Sequence, residues 1–321
     1  MPSARPVLPT VRRRGTRRAH LRTVLMAALL PLTLTGCGAA DDVPEDAQAR
    51  DLGSQDVVSA VQEDARLSAT LPAEYRESGV LRVGSAVGVP PIAFSPEDGG
   101  PPRGVDIDVT DAVARVLGLK VQRTHVSGAS LITGINAGRY QVGTANLAVT
   151  EEREQVLDFV LYLTDGSGFA VRDDSALKQV KSLAQLCGLR VGTGTGTTFE
   201  AELQTASKDC VADGGKPIGI STYPDAAAHF LALRQGRVDV LMTSSSVLRY
   251  AATQQPGLRY LNEIERKSVG LAVKKGSPLA GPLKNAVDHL IEEGTYDRIL
   301  KKWNLRAAAV PAAEINPGPT P

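Results

Sequence analysis

The chain has 321 residues, of which 36 are lysine or arginine and 35 are aspartate or glutamate. This even balance, with no basic stripe after residue 36, argues against a polyanionic partner such as nucleic acid. With 42% hydrophobic and 22% charged residues, the chain has an ordinary globular composition and enough length for one large domain or two medium ones.

The N-terminus is basic and then apolar. Six arginines lie between residues 12 and 22, and an apolar run covers residues 24–34. The run Leu34-Thr35-Gly36-Cys37 resembles the cut site of a bacterial lipoprotein, which predicts that residues 1–36 are a signal peptide and that Cys37 carries acyl chains. A short anchor helix is the alternative, but it would need roughly 18 or more apolar residues. The arginines leave both Sec and twin-arginine export open.

Two flanking segments lack the periodicity of helices or strands. Residues 37–77 are largely alanine, acidic residues, glutamine and serine, which predicts a lipidated tether. Residues 307–321 contain several prolines, which predicts a disordered tail. Residues 78–306 remain for the folded part.

Strand and helix patterns alternate between these segments. The first series is predicted as a strand at 80–84, a helix capped by Asp106 and ending at Gly118, a strand at 121–126, a helix at 131–137 and a strand at 142–145. The second is predicted as a helix capped by Ser182, a strand at 189–192, a helix at 197–207, a strand at 218–222, a helix at 226–234 capped by Asp225, a strand at 238–242, a helix capped by Ser244, a strand at 269–273 and closing helices at 283–291 and 296–303. Two such α/β series predict two lobes, each a mostly parallel sheet flanked by helices, with a ligand crevice at the carboxyl ends of the strands.

Two cysteines remain beyond Cys37. An exported protein meets an oxidising compartment, in which Cys187 and Cys210 can form a disulfide. Two buried free thiols are the alternative. Neither the cysteines nor the scattered histidines have the spacing of metal ligands, so we predict no metal site and no cofactor.

Motifs in a fixed order give the chain a family resemblance over roughly residues 78–306. They are S-G-V-L-R-V-G at 78–84, G-V-D-I-D-V at 104–109, T-E-E-R at 150–153 with D-F at 158–159, K-S-L-A-Q-L at 181–186, G-T-T at 196–198 with Glu200, G-R-V-D-V at 236–240, and G-T-Y at 294–296 with K-W at 302–303. The chain thus resembles family 3 of the bacterial solute-binding proteins, which serve amino-acid ABC transporters. The resemblance implies a type II periplasmic-binding-protein-like fold. Its lobe 1 would comprise residues 78–170 and 269–306, its lobe 2 residues 171–268, and its two crossing strands would lie near 169–172 and 269–273.

The resemblance also implies how a ligand is held. Arg153 matches the arginine that binds the ligand's α-carboxylate, a role that suits a planar fork of donors. The alternative is a surface arginine that pairs with Glu151, Glu152 or Glu154. The turn Gly196-Thr197-Thr198 would grip the same carboxylate from lobe 2, through N–H groups at a helix start. This turn lacks the lysine of a phosphate-binding loop.

Several positions depart from the family pattern. Ser244 stands where the family commonly has the acid that binds an α-ammonium, and Val89 stands where an aromatic ring stacks on the ligand. Ala148 replaces a hydroxyl, with Asn146 ahead of it. Burying an ammonium without a counter-charge is costly. Free amino acids are therefore expected to bind poorly unless another acid, such as Asp165, compensates.

These features favour the substrate-binding component of an ABC importer, which closes two lobes around a small carboxylate-bearing solute such as an amino acid or a derivative. The expected partners are this solute, a permease whose ATPase is a separate chain, and the membrane through the lipid anchor. The protein is expected to be a monomer at the outer face of the bacterial cytoplasmic membrane, extracellular or periplasmic. The rival is a cleft enzyme, since cyclohexadienyl dehydratase resembles this family. An enzyme needs an acid or base in the cleft, whereas the aligned positions have lost acids, so we predict no enzyme.

Overall fold

The computed structural model describes residues 55–96 and 99–318. The predicted signal peptide, the predicted lipidation site Cys37 and the first part of the predicted tether lie outside these residues. Within the described part of the chain, no helix is long and apolar enough to cross a membrane.

Strands and helices alternate along the described chain, as predicted. The strands are β1 (Val80–Ser85), β2 (Lys120–His125), β3 (Val142–Thr144), β4 (Leu157–Arg172), β5 (Arg190–Gly194), β6 (Gly219–Tyr223), β7 (Val240–Ser244) and β8 (Leu258–Lys274). The helices are α1 (Ala65–Ser68), α2 (Ala73–Ser78), α3 (Val105–Val116), α4 (Gly128–Asn136), α5 (Glu151–Glu154), α6 (Thr198–Ala212), α7 (Ala226–Arg234), α8 (Ser245–Gln254), α9 (Ala280–Glu292) and α10 (Thr295–Lys302), with 3-10 turns at Leu183–Leu186 and Arg306–Ala308. The strand predicted at 269–273 is only the last part of the much longer β8.

The strands form one mixed sheet in the order β2-β1-β3-β8-β4-β7-β5-β6. β1 pairs in parallel with β2 and β3, and β5 pairs in parallel with β6 and β7. Between these two parallel groups lie β4 and β8, which run antiparallel to each other and to their outer neighbours. The two parallel groups are therefore joined through two long strands.

The passage from one parallel group to the other lies in the middle of β4 and β8. The register shifts between Asp165 and Ser167, and the neighbouring Glu265 has a left-handed φ of 51°. On one side of this shift β8 pairs with β3, and on the other side β4 pairs with β7. The predicted crossing ranges, 169–172 and 269–273, lie within β4 and β8, but each lies beside a single parallel group, a few residues from this shift.

The core lies on both faces of the sheet. Its largest cluster extends through both parallel groups, from Leu81 of β1 to Leu241 of β7. Smaller clusters lie against α6, around Leu203, and against α4, around Leu131. β4 contributes to all three clusters, so the crossing strands are packed against helices from both groups.

Two of the predicted helix caps are present. Asp225 Oδ1 accepts a 2.8 Å hydrogen bond from Ala228 N, and Ser244 Oγ accepts one of 3.2 Å from Val247 N. Each bond satisfies an N–H group that the first turn of a helix leaves without a backbone partner. Ser182 precedes the 3-10 turn, but its side chain makes no cap bond.

The predicted cap at Asp106 is wrong, because α3 begins earlier. Gly104 is its N-cap, with a φ of 142°, and a Cβ atom there would lie 2.1 Å from Ile92 O. Only glycine fits this approach of two backbone segments. Asp106 consequently lies in the first turn, and its side chain is fully buried.

The tether prediction is wrong for residues 55–77, which pack on the fold. Val61 and Leu71 are buried in the largest core cluster. Asp64 caps α1 by accepting a 2.8 Å bond from Arg66 N, and Asp64 N donates to Val116 O at 3.0 Å. The few apolar residues of this segment are therefore enough to fix it.

The tail prediction is wrong for residues 307–318. This segment runs along a part of β4 that β7 does not reach. Leu161 N donates to Glu314 O at 2.9 Å, and Asn316 N donates to Phe159 O at 3.0 Å. Phe159 N in turn donates to the Asn316 side-chain oxygen at 2.9 Å. The segment thus provides hydrogen-bond partners for an outer edge of the crossing strand.

Cys187 and Cys210 form a disulfide, with their Cα atoms 5.7 Å apart. The predicted pair is confirmed, and the alternative of two free thiols is not. The bond joins the end of the 3-10 turn at Leu183–Leu186 to α6, and Cys210 is buried beside Leu203 in the cluster under that helix.

Candidate ligand-binding site

The predicted ligand residues follow the carboxyl ends of parallel strands. Val89 follows β1, while Asn146 and Ala148 follow β3. The turn Gly196-Thr197-Thr198 follows β5, and Ser244 is the last residue of β7. Because the carboxyl ends of parallel strands meet at one edge, each set gathers at the ligand edge of its own parallel group.

Arg153 lies in α5, a single turn capped by Thr150. The cap hydroxyl accepts a hydrogen bond from Arg153 N at 3.3 Å, and Arg153 Nη1 donates to Ala148 O at 2.7 Å. Burial lowers the pKa of the guanidinium, although the nearby Glu152 charge opposes this shift. Among the described residues, no carboxylate forms an ion pair with Arg153. The half-buried Arg153 guanidinium therefore keeps N–H donors that could bind the carboxylate of a ligand.

The turn at the start of α6 is closed by its own side chains. Thr197 Oγ1 donates to Gly194 O at 2.8 Å and accepts from Glu200 N at 3.3 Å. Glu200 Oε2 also accepts a 2.7 Å bond from Gly196 N. An anion already lies at this helix start, where the helix dipole favours negative charge. No hydrogen bond or ion pair in the described chain joins this turn to Arg153.

An acid stands directly behind Ser244. Ser244 Oγ donates to Asp165 Oδ2 at 2.5 Å, and Asn146 Nδ2 donates to the same oxygen at 2.8 Å. Asp165 Oδ1 accepts from Gly166 N at 2.9 Å and from Ser246 N at 3.2 Å. Burial raises the pKa of Asp165, and the hydrogen bond from Ser244 is the largest opposing influence. The structure therefore brings together three residues that the sequence could only name separately.

A second buried acid, Asp106, was missed as a site residue. Tyr162 OH donates to Asp106 Oδ1, and Asn146 N donates to Asp106 Oδ2 at 3.0 Å. Burial raises the pKa of Asp106 to about 6. Asn146 thus bridges the two acids, with a left-handed φ of 47° that asparagine tolerates better than most residues. Its position in the G-V-D-I-D-V motif was the one available signal for Asp106.

Val89 and Ala148 each make a backbone hydrogen bond within the protein. Val89 N donates to Ala93 O at 2.9 Å, and its side chain packs against the core. Ala148 lacks the usual hydroxyl, but its carbonyl is the acceptor that orients Arg153.

In the described residues, no group of three or more His, Cys, Asp or Glu side chains could hold a metal ion. His229 is one of the histidines scattered along the sequence. It is buried between Tyr223 and Phe230, and its Nε2 lies 3.1 Å from Gly192 O. Burial lowers the pKa of His229, which favours a neutral ring in a structural position.

The motifs lie within a region of the chain that matches a known protein family. The sequence model of the bacterial extracellular solute-binding proteins, family 3, matches residues 81–306. The chain belongs to this family. Residues 55–80 and 307–318, which pack on the fold, lie outside the matched region.

Named members of the family and solved structures resemble the chain over most of its length. The arginine-binding protein ArgT of Corynebacterium glutamicum is 29% identical over 256 residues, which cover 79% of this chain and 83% of ArgT. An ancestral arginine-binding protein bound to arginine is 31% identical, with a TM-score of 0.62, covering 70% of this chain and 98% of that one. The ancestral amino acid-binding protein AncCDT-1, a precursor of cyclohexadienyl dehydratase, is 29% identical, with a TM-score of 0.63, covering 72% and 97%. The predicted two-lobed, type II periplasmic-binding-protein-like fold is confirmed.

Proposed function

We propose that this family 3 protein is the solute-binding component of an ABC importer and that its solute is an amino acid or a close derivative. Arg153 carries the proposal. Its guanidinium is half-buried, bonds one carbonyl and meets no carboxylate among the described residues. Such a fork matches a carboxylate with two parallel bonds and keeps its charge when water leaves. The arginine-binding relatives support the same class of solute.

We propose that the two parallel groups move as lobes, with β1 to β3 in lobe 1 and β5 to β7 in lobe 2. The hinge would lie at the register shift near Asp165 and Glu265, a few residues from the lobe boundaries that the sequence predicts at 170 and 268. Closure would then bring the turn at Gly196 toward Arg153, with the solute's carboxylate between them. This carboxylate would displace Glu200 from Gly196 N, so one anion replaces another at the same helix start.

An enzyme on the same scaffold is the second candidate, because AncCDT-1 is the precursor of a dehydratase. Asp106 is the acid that such an enzyme would need, since its pKa is raised to about 6. Both of its oxygens, however, accept hydrogen bonds from within the protein, from Tyr162 and Asn146. The named relatives are binding proteins, and we propose binding without turnover.

A thermal-shift screen of amino acids, opines, small peptides and organic acids tests the proposal. A solute at a hundred times its Kd should stabilise the fold by about 2.7 kcal/mol, which raises Tm by roughly 5–10 °C for a domain of this size. The matched control for each hit is its carboxamide, which lacks the carboxylate and should give no shift. Equal shifts from the acid and the amide would contradict the Arg153 site. Conversion of a hit, measured by mass spectrometry, would favour the enzyme.

We also propose that the protein is exported, that a lipid on Cys37 holds it as a monomer at the outer face of the cytoplasmic membrane, and that it delivers its solute to a permease whose ATPase is a separate chain. The family is extracellular, and the sequence before Cys37 supports an anchor. Cys37→Ser should move the exported protein from the membrane fraction to the soluble fraction in its bacterial host. Ser54→Ala, outside the cut site, is the control. A membrane-bound Cys37→Ser protein would contradict the anchor.

A further inference from the structure

We propose that the solute's ammonium group binds to Ser244 Oγ and Asn146 Oδ1. Asp165, which accepts a hydrogen bond from each of these side chains, would supply the negative charge. This inference rests on the proposed function and names the solute class as one with a free amine. Position 244 has no acid of its own, but the Ser244 hydroxyl donates a hydrogen bond to one, Asp165.

The first observation is a buried carboxyl group that has no ion-pair partner among the described residues. Asp165 is 7% exposed, and no ion pair reaches it from the described residues. Asp106, a second buried acid at this site, is fully enclosed and shares Asn146 with Asp165. A buried carboxylate is costly unless it is paired, so this position favours the arrival of a cation.

The second observation decides which atoms a cation would touch. Each oxygen of Asp165 already accepts two hydrogen bonds. An ionised carboxylate has about four acceptor positions, so Asp165 has none left for direct contact. Its charge must therefore act through the groups that donate to it.

Ser244 is the first of these groups. Its hydroxyl proton points to Asp165 Oδ2, and its oxygen accepts a bond from Val247 N at 3.2 Å. A hydroxyl oxygen has two lone pairs, which leaves one for an incoming N–H donor. Because the proton is held by Asp165, Ser244 can only accept from that donor.

Asn146 is the second group. Its Nδ2 donates to Asp165 at 2.8 Å, which fixes the orientation of the amide, since the reversed orientation would place two oxygens together. Its Oδ1 is buried and has no hydrogen-bond partner among the described residues. An acceptor left without a partner in a buried position is costly. A primary ammonium, with three N–H donors, would satisfy this oxygen together with Ser244 Oγ.

This arrangement changes the expected effect of placing an acid at position 244. If the site simply lacked an acid, Ser244→Asp would strengthen amino-acid binding. Because Ser244 is hydrogen-bonded to Asp165, a carboxylate at position 244 would lie next to the Asp165 carboxylate. Two neighbouring carboxylates cannot both ionise readily. We therefore expect Ser244→Asp to weaken binding or leave it unchanged.

The test compares solutes with and without the amine. Calorimetry would use L-arginine with its des-amino analogue 5-guanidinopentanoate, and L-glutamine with its des-amino analogue 4-carbamoylbutanoate, taking the pair whose amino acid binds wild type. Asp165→Asn should weaken amino-acid binding by about tenfold or more, because a bond supported by a charge is lost. The des-amino analogue should change by less than about threefold. Ser244→Ala, which keeps Asp165, should show the same selectivity with a smaller loss.

Asp174→Asn is the matched control, because Asp174 forms an exposed pair with Arg172. It should bind every solute as wild type does. The inference is overturned if Asp165→Asn binds the amino acid as wild type does, if it weakens both members of a pair equally in a folded protein, or if Ser244→Asp binds the amino acid more tightly. Absence of binding by wild type to every amino acid in the screen would instead contradict the proposed function.

Discussion

Arg153→Ala is expected to abolish most solute binding while the domain stays folded. Losing one partner of a buried, charge-assisted pair costs about 2–5 kcal/mol, which lowers affinity by more than about thirtyfold. The fold should survive because, among the described residues, the Arg153 side chain bonds only Ala148 O, and it lies in a one-turn helix that Thr150 caps. Isothermal titration calorimetry with the best amino acid from the screen measures the loss.

Two further variants make this result specific. Arg153→Lys keeps a positive charge but loses the planar fork, so it should recover only part of the affinity. Arg306→Ala removes an arginine from an exposed ion pair with Asp297 and should bind as wild type does. Wild-type affinity in a folded Arg153→Ala protein would mean that the carboxylate is held elsewhere.

A second large effect is expected on the stability of the fold, at Asp108. Lys302 is only 7% exposed, and its Nζ lies 2.9 Å from Asp108 Oδ2. The same carboxylate accepts a 2.7 Å bond from Trp303 Nε1. Asp108→Ala leaves a buried ammonium without its counter-charge, which should lower the free energy of unfolding by about 3–5 kcal/mol. Chemical denaturation followed by circular dichroism measures the change.

The control for Asp108 is another aspartate that pairs with a basic residue near the C-terminus. Asp297 and Arg306 are both more than half exposed, and an exposed pair contributes less than about 1 kcal/mol. Asp297→Ala should therefore unfold almost as wild type does. Equal stability of the two variants would contradict the prediction. It would mean that water solvates the Lys302 ammonium once Asp108 is removed.

The sequence predicted the features that depend on a residue type in a local pattern. Asp225 precedes a helical run, Ser244 precedes another, and Cys187 and Cys210 are the two cysteines left for an oxidising compartment. In each case the chemistry of the side chain limits what it can do. The structure adds distances to these predictions.

Features that depend on tertiary contact were not predictable in this way. Aspartate is a common helix cap, which is why the sequence predicts one at Asp106. The close approach of Ile92 to Gly104 instead makes Gly104 the cap, and Asp106 is buried in the first turn. The place of Asp165 follows from the shifted register of two long strands. Val310 lies in a proline-containing tail, yet it is 5% exposed, and its N–H donates to Tyr296 OH.

The C-terminal segment has a consequence for association between copies of this chain. The family match ends at Arg306, but the bonds to Phe159 and Leu161 come from residues 314–316. A recombinant protein shortened to the matched region would expose these backbone groups as a bare strand edge, which a second chain could pair with. We therefore expect the shortened protein to self-associate more readily than the full chain.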